Sequence, residues 1–589
     1  MNERLNSLRQ LMSRLNVAAV IIPGTDPHQS EDPCDHWQLR EWITGFTGSA
    51  GTAVITENDA RMWTDSRYFL QAEQQLADSG FSLMREGIDP DIKPWLAENL
   101  EEDDVLAIDG RLFSARETNR LEQFCGENGF MLATDFPVAE RIWSDRPERP
   151  LTPTFVHNEE LAGETVDSKL SRTRQAMEEM GADSLFIASL DDIAWLFNIR
   201  GNDVDFMPVT IAFAYVDLRQ AVLFIDKEKI TDEVAAHLKH YDVAWKPYDD
   251  VEHFLTRRSE HNVTIIDPDR VSDALASAMP CQKIYAPSPT TALKAVKNPI
   301  QIAGFRSAME RDGAALVRLF KWIEEKMAAG EQVTEISIAK RAIEERSKSE
   351  LYHSESFGMI AGYREHGAIV HYQATPETDA TLQPIGLQLI DTGAQYLDGT
   401  TDITRTITLG NPTPDEIHNY TLVLKGHLAL ERAQFPVGTC GVQLDAIARM
   451  PLWQEGKAFF HGTGHGVGHF LGCHEGPQSI RTNLNPTALE PGMITSDEPG
   501  LYLAGQYGIR IENLILCVEG EKTEEFGDFL RFETLTLFPY DQRLIDRSML
   551  TAEEIEQINA YHATVRERLT PLLAADEAEW LAQKTLAIQ

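Results

Sequence analysis

The chain has 589 residues, 42% of them hydrophobic and 25% charged, so it is too long for a single hydrophobic core and too apolar for a disordered polymer. Its 53 Lys and Arg against 92 Asp and Glu leave a formal charge of -39, which repels phosphate backbones and anionic lipid and argues against a nucleic-acid or membrane partner. The six cysteines, Cys34, Cys125, Cys281, Cys440, Cys473 and Cys517, form no CxxC and no close pair, and read as buried or free thiols in a reducing compartment.

The first segment is MNERLNSLRQLMSRLNVAAVIIPG. Leu5, Leu8, Met12 and Leu15 share one helical face and a short apolar run follows, which is the order of a helix and then a strand rather than of a signal peptide. No apolar stretch approaches the roughly 20 residues that a membrane-spanning helix needs, so a cytoplasmic protein is expected. A faint repeat follows: RQLMSRLNVAAVII (9–22) resembles RQAMEEMGADSLFI (174–187). The first copy continues through WITGFTG and ARMWTDSRYFLQAEQQL, the second through AWLFNIRGND and QAVLFIDKEKITDEVAAHL, each read as a strand followed by a helix. Two α/β domains of similar topology, 1–155 and 156–298, are the natural reading, with the proline-rich SDRPERPLTPTFVHNEE (144–160) as linker.

A further boundary falls around YAPSPTTALKAVKNP (285–299), after which QIAGFRSAMERDGAALVRLFKWIEEKM carries long helical periodicity. From there to 529 helices alternate with Gly-bounded strands such as LQLIDTG, TDITRTITLG and GIRIENLILCVEG, an α+β layout with antiparallel hairpins. The tail, 530–589, contains a Thr-x-x-Glu capping box at Thr551 and reads as helix.

Chemistry concentrates in the third region. Asp391 ends an apolar strand, Asp402 opens another eleven residues later, and a hairpin would set them side by side. A carboxylate at the end of LQLI is costly to bury unless a cation compensates it; the plain alternative is an Asp capping a turn. Glu498 lies in TSDEPGLY and Glu512 in YGIRIENLIL, where Arg510 and Glu512 share a strand face and either read as an ion pair or join a metal site. Two divalent ions would balance these four carboxylates, and one neutral imidazole would complete the shell. Such donors suit Mn²⁺ or another hard ion, and Cys473 has no thiol partner to suggest a zinc knuckle. In HGTGHGVGHFLGCHEGP (461–477) the i, i+4 spacing of His461 and His465 would suit a helical zinc site, but Gly462, Gly464 and Gly466 disfavour a helix there. An extended segment lining a cleft fits better, with one histidine on metal and others around a substrate.

Taken together, IDTGAQYLDGTTDITRTITLG, FHGTGHGVGHFLGCHEGP, ITSDEPGLY and GIRIENL resemble the aminopeptidase P family, X-prolyl aminopeptidases of the pita-bread metallopeptidase superfamily (M24B), in its long three-domain cytosolic form. TDSRYFLQAEQQL and DFLRFETLTLFPYDQRLIDRSMLT extend the resemblance over nearly the whole chain. It implies two creatinase-like α/β domains, a pita-bread catalytic domain and a short C-terminal extension that dimerises. It also implies that Asp391, Asp402, His465, Glu498 and Glu512 bind two Mn²⁺, with Zn, Co or Fe as other candidates. Asp402 and Glu512 would bridge the ions, Asp391 would chelate one, and His465 and Glu498 the other. A hydroxide between the metals would be the nucleophile and Glu498 its general base. His371, His461 and His474 match histidines around the substrate, where an imidazole stabilises the tetrahedral intermediate. His366 and His469 match no such role and read as core or loop histidines. Arg67 matches an arginine that reaches toward the peptide, although Ser66 stands where the resemblance leads one to expect glycine. The implied reaction is removal of an N-terminal residue that precedes proline. A prolidase acting on Xaa-Pro dipeptides is the nearest alternative, and a non-catalytic peptide- or histone-binding scaffold a more distant one.

Overall fold

The computed structural model describes residues 3–589. They form two compact units, one running through Asn158 and resuming over Glu164–Leu293, the other made of Glu159–Gly163 and Lys294–Gln589. In the first unit the sequence repeat becomes a structural one. Each copy is a six-stranded sheet of the same order. The first runs Ser82–Arg85, Ala60–Thr64, Thr52–Thr56, Ala19–Pro23, Val105–Ala107, Met131–Ala133. The second runs Val243–Lys246, Ala221–Ile225, Ala212–Asp217, Ser184–Ile187, Val263–Ile266, Gln282–Tyr285. Both sheets pair parallel, antiparallel, antiparallel, parallel, parallel across that order. Their central strands, AVIIP and SLFI, are buried at every position, as strands covered on both faces must be.

The opening helix, Glu3–Leu15, buries Leu5, Leu8, Leu11 and Met12. Leu15, expected on that face, is 46% exposed at the helix end, and Leu11 takes its place. WITGFTG and AWLFNIRGND also depart from expectation. They close the helices Leu39–Thr44 and Leu190–Leu196, the first ending on Gly45 at φ 80°, because a short apolar aromatic run suits a buried helix as well as a strand.

The second unit begins with the thirty-residue helix Pro299–Ala328, started by a capping box between Asn298 and Gln301 with proline in its first turn. Phe305, Leu316, Phe320 and Ile323 on this helix pack with Ile390, Ile403, Val467, Ile494 and Leu514 from the strands that carry the site. Two antiparallel sheets matter for function. One holds Ile360–Tyr363, Leu387–Thr392 and Ile403–Thr408. The other runs Gln434–Pro436, Gly527–Thr534, Asn513–Thr523, Ile494–Asp497, Gly464–Gly466, Glu475–Ile480. The tail helix Ala552–Leu569 starts at the Thr551 capping box and puts Val565 and Leu569 into the same core. Gly313 permits this approach, since a Cβ there would lie 2.5 Å from the Leu537 carbonyl and 2.9 Å from a Leu569 methyl. No helix of the described residues is long and apolar enough to cross a membrane.

Candidate metal centre

Asp391 is the fifth residue of Leu387–Thr392, which pairs antiparallel with Ile403–Thr408 so that Asp391 faces Thr404 and Thr392 faces Ile403. Asp402 lies one residue before that second strand, so this pairing brings the two aspartates to the same end of the ladder. Glu498 and Glu512 are placed by the same logic. Asp497 pairs with Asn513, and the chains leave the sheet one residue further on, at Glu498 and Glu512. His465 sits between two glycines in the strand Gly464–Gly466, not on a helix. A Cβ at Gly464 would lie 1.9 Å from the Ser496 carbonyl, and one at Gly466 2.3 Å from that of Glu475, so only glycine lets this strand enter the sheet.

These placements converge. Ligand atoms of Asp402, His465 and Glu512 all lie within 4.8 Å of one another. His465 Nε2 is 3.4 Å from Asp402 Oδ2 and 3.7 Å from Glu498 Oε1. Its Nδ1 is 3.0 Å from the Gly466 carbonyl. A carbonyl only accepts, so Nδ1 carries the proton and Nε2 presents its lone pair toward the carboxylates, the arrangement of a metal-ligating imidazole. Glu512 Oε2 accepts from the Thr404 hydroxyl at 2.8 Å, and Asp391 Oδ2 from Arg510 at 2.6 Å. Asp391 Oδ1 is buried with no hydrogen-bond partner among the described residues, which is what a carboxylate oxygen reserved for a cation looks like.

The electrostatics agree. Burial pushes the Glu498 carboxyl up to about 7, against partial relief from His465 and Arg510. Burial raises Asp391 despite Arg510, and raises Glu512 well above the carboxylate range, with Asp402 and Asp391 adding repulsion. Burial also opposes ionisation of Asp402, but the adjoining His465 imidazole and a hydrogen bond from Cys473 outweigh it and hold this carboxyl below its ordinary value. Four crowded carboxyls and one imidazole, with no thiolate among them, fit a pair of hard divalent cations, whose charge would remove the repulsion.

Arg510 connects the parts of this site, and the sequence reading missed that role by treating it only as a companion of Glu512. Its NH2 group reaches Asp391 and, at 3.3 Å, the Val370 carbonyl beside His371. Its Nε donates at 3.2 Å to Thr404, which in turn donates to Glu512. Its NH1 donates at 2.8 Å to the Tyr502 hydroxyl, which lies 2.8 Å from His461 Nε2. Gly500 makes room for that contact, because a Cβ there would be 2.5 Å from the Tyr502 oxygen. The available clue was a charged residue within the apolar alternation of YGIRI; its fully buried state is visible only in three dimensions. Cys473, set aside as a lone thiol, donates to Asp402 Oδ2 at 3.2 Å.

Among the histidines, His461 Nδ1 lies 4.0 Å from Glu498 and 2.7 Å from the Gly462 carbonyl. His474 is exposed, with its ring 4.4 Å from that of His465 in an edge-on contact. His371 is half-buried. His366 bonds Glu335 at 2.8 Å and stacks on Tyr372, and His469 packs edge-on against Phe305. Arg67 lies in the first unit, where its fork grips Asp65 at 3.0 and 2.8 Å.

Known proteins carry the same plan. Residues 4–138 and 145–301 each match a creatinase/prolidase N-terminal domain, 303–519 match metallopeptidase family M24, and 528–588 match the C-terminal region of those peptidases. Aminopeptidase P1 of Arabidopsis thaliana is 38% identical over 99% of both chains. An X-prolyl aminopeptidase from Caenorhabditis elegans, described as a cytosolic enzyme with a di-nuclear active site, superposes with a TM-score of 0.96 at 33% identity over 100% of this chain and 99% of its own. The Xaa-Pro dipeptidase of Bacillus anthracis shares the fold of 64% of this chain and 99% of its own, with a TM-score of 0.52 at 24% identity. The fold is thus that of an M24 metallopeptidase. Within that class the chain belongs to the aminopeptidase P family.

Proposed function

We propose that this enzyme removes the first residue from peptides that carry proline in second position, using two metal ions held by Asp391, Asp402, His465, Glu498 and Glu512. The observation that carries the reading is the convergence of Asp402, His465 and Glu512, with Glu498 3.7 Å from His465 and an orphaned oxygen on Asp391, in a chain matched end to end by X-prolyl aminopeptidases. Manganese is the proposed metal, because oxygen donors dominate and no thiolate is present. Two such cations supply Lewis acidity, lowering the pKa of a water and polarising the scissile carbonyl.

The protein's own groups do the rest. Asp391, Asp402, His465, Glu498 and Glu512 would hold the two ions, with Asp402 and Glu512 shared between them. Glu498 is proposed as the general base and proton carrier from its place in the centre, 3.7 Å from His465. His371, His461 and His474 surround the substrate. His461 is held on both nitrogens by the Gly462 carbonyl and the Tyr502 hydroxyl, and an imidazole N–H from His371 or His474 to the scissile carbonyl would stabilise the charge that grows on its oxygen. Arg67 is proposed as a substrate-binding residue. Proline requires a dedicated site because its nitrogen has no N-H to grip and its ring locks φ. We further propose a cytoplasmic homodimer.

The test is hydrolysis of an Xaa-Pro-Xaa tripeptide, with Xaa-Ala-Xaa as control, by manganese-supplemented enzyme. Cleavage of the first peptide excludes a strict dipeptidase. Glu498→Ala and Asp402→Ala should each lose at least about 10²-fold in kcat; if both keep full activity, the metal assignment is wrong.

A further inference from the structure

Beneath the metal centre lies a buried histidine with no assigned part in the reaction. His427 is on the helix Pro414–Glu431 and is fully buried. Its Nδ1 lies 3.2 Å from the carbonyl oxygen and 3.0 Å from the Oδ2 of Asp497. Its Nε2 lies 3.1 Å from Asn513 Nδ2 and 3.1 Å from the Tyr540 hydroxyl, with Glu431 Oε1 at 3.5 Å. Asp497 and Asn513 are the paired residues that immediately flank Glu498 and Glu512. One imidazole therefore spans the two strands at the point where both carboxylate ligands leave the sheet.

The neighbours reinforce this clamp. Asn513 also donates to Glu431 Oε1 at 2.8 Å and accepts from Arg405 at 2.8 Å. The same guanidinium donates to the Glu512 carbonyl at 2.7 Å. A backbone carbonyl can only accept, so Nδ1 is the donor to Asp497 and Nε2 accepts from Asn513: the ring is held in one orientation from both sides. An apolar residue of this size would pack the helix on the sheet at lower desolvation cost, but it would place no directional restraint on residues 497 and 513.

We propose that His427 is a positioning residue for the metal site, clamping the backbone that carries Glu498 and Glu512. This rests on the assignment of those two glutamates as ligands. It touches neither metal nor substrate, and acts through Asp497 and Asn513.

Calorimetric titration of Mn²⁺ into chelator-treated protein tests it. His427→Ala should weaken manganese binding about 10- to 100-fold, the range for partners that orient a ligand. Its kcat should recover toward wild type at excess manganese, with KM for the tripeptide changed by less than about threefold. A merely structural role predicts a lowered melting temperature with unchanged metal affinity. Folded His427→Ala protein with affinity within about twofold of wild type overturns the proposal. If that variant does not fold, His427→Asn decides by the same criterion, since it offers an amide near the Nδ1 position and loses the Nε2 contact; about tenfold weaker binding is expected. Glu512→Gln, titrated alongside, separates the two readings. Normal binding by this variant defeats the ligand assignment, whereas weakened binding by Glu512→Gln together with unchanged His427 variants defeats only the clamp.

Discussion

With its metal removed, the second unit is expected to lose the contribution of Glu498 to its stability as pH rises from about 4.5 to about 7, the reverse of ordinary acid unfolding. Glu498 has an ordinary value of 4.5 that burial raises to about 7 in the fold. Between those values the unfolded chain has released the proton and the folded chain still holds it. The folded state thus binds more protons, and stability falls with pH until the carboxyl ionises in both states. Moving the carboxyl from 4.5 to about 7 is worth roughly 3 kcal/mol. The Glu498 side chain retains 20% exposure, which screens part of this and brings the expected loss to about 2 kcal/mol. Asp391 and Glu512, also raised, act in the same direction. Asp402 is lowered, so its stabilisation is present above its ordinary value of 3.8 and is lost below the window. The assay is urea unfolding of chelator-treated wild type and Glu498→Gln across this range, following the transition that added manganese shifts. That transition reports the unit carrying the site, so two-unit unfolding does not confuse it. Wild type should fall more steeply than Glu498→Gln by about 2 kcal/mol, and saturating manganese should remove that fall from wild type. Parallel profiles would refute the argument that Glu498 is a carboxyl held neutral by burial until a cation arrives.

Two further substitutions probe the supports. Arg510→Lys keeps the charge but cannot serve Asp391, Tyr502 and Thr404 at once, so manganese affinity and kcat should both fall by about tenfold or more, measured by calorimetry and tripeptide hydrolysis. Gly464→Ala would drive a Cβ to 1.9 Å from the Ser496 carbonyl, displacing His465, and should lower metal-free stability by about 2–3 kcal/mol in the same urea assay.

What could be read from the sequence was whatever depends on short-range pattern. Alternating apolar strands bounded by glycine located LQLIDTG and TDITRTITLG, and the hairpin between them brings Asp391 and Asp402 to one end of the ladder as their spacing suggested. Glycines on either side of His465 argued against a helix, and the strand found there is possible only because those glycines let carbonyls approach. The repeat in the first half was legible because both copies obey the same helix-strand order. Short apolar runs were not, as WITGFTG and AWLFNIRGND demonstrate: so short a buried run carries no period that separates a helix end from a strand.

The supports of the site were illegible for a different reason. Arg510, Tyr502 and His427 are ordinary residues in sequence, and each acquires its role from a partner between 8 and 119 residues away. Crowding carboxylates beside a sheet end creates a demand that no local pattern expresses: every oxygen not on metal must find a donor or pay the desolvation of a buried anion. Arg510 meets that demand for Asp391, Thr404 for Glu512, and Cys473 for Asp402. The ligand set therefore dictates its surroundings, so that recognising five metal-binding side chains in a sequence predicts that donors must be found for their remaining oxygens, and leaves to the fold only which residues supply them.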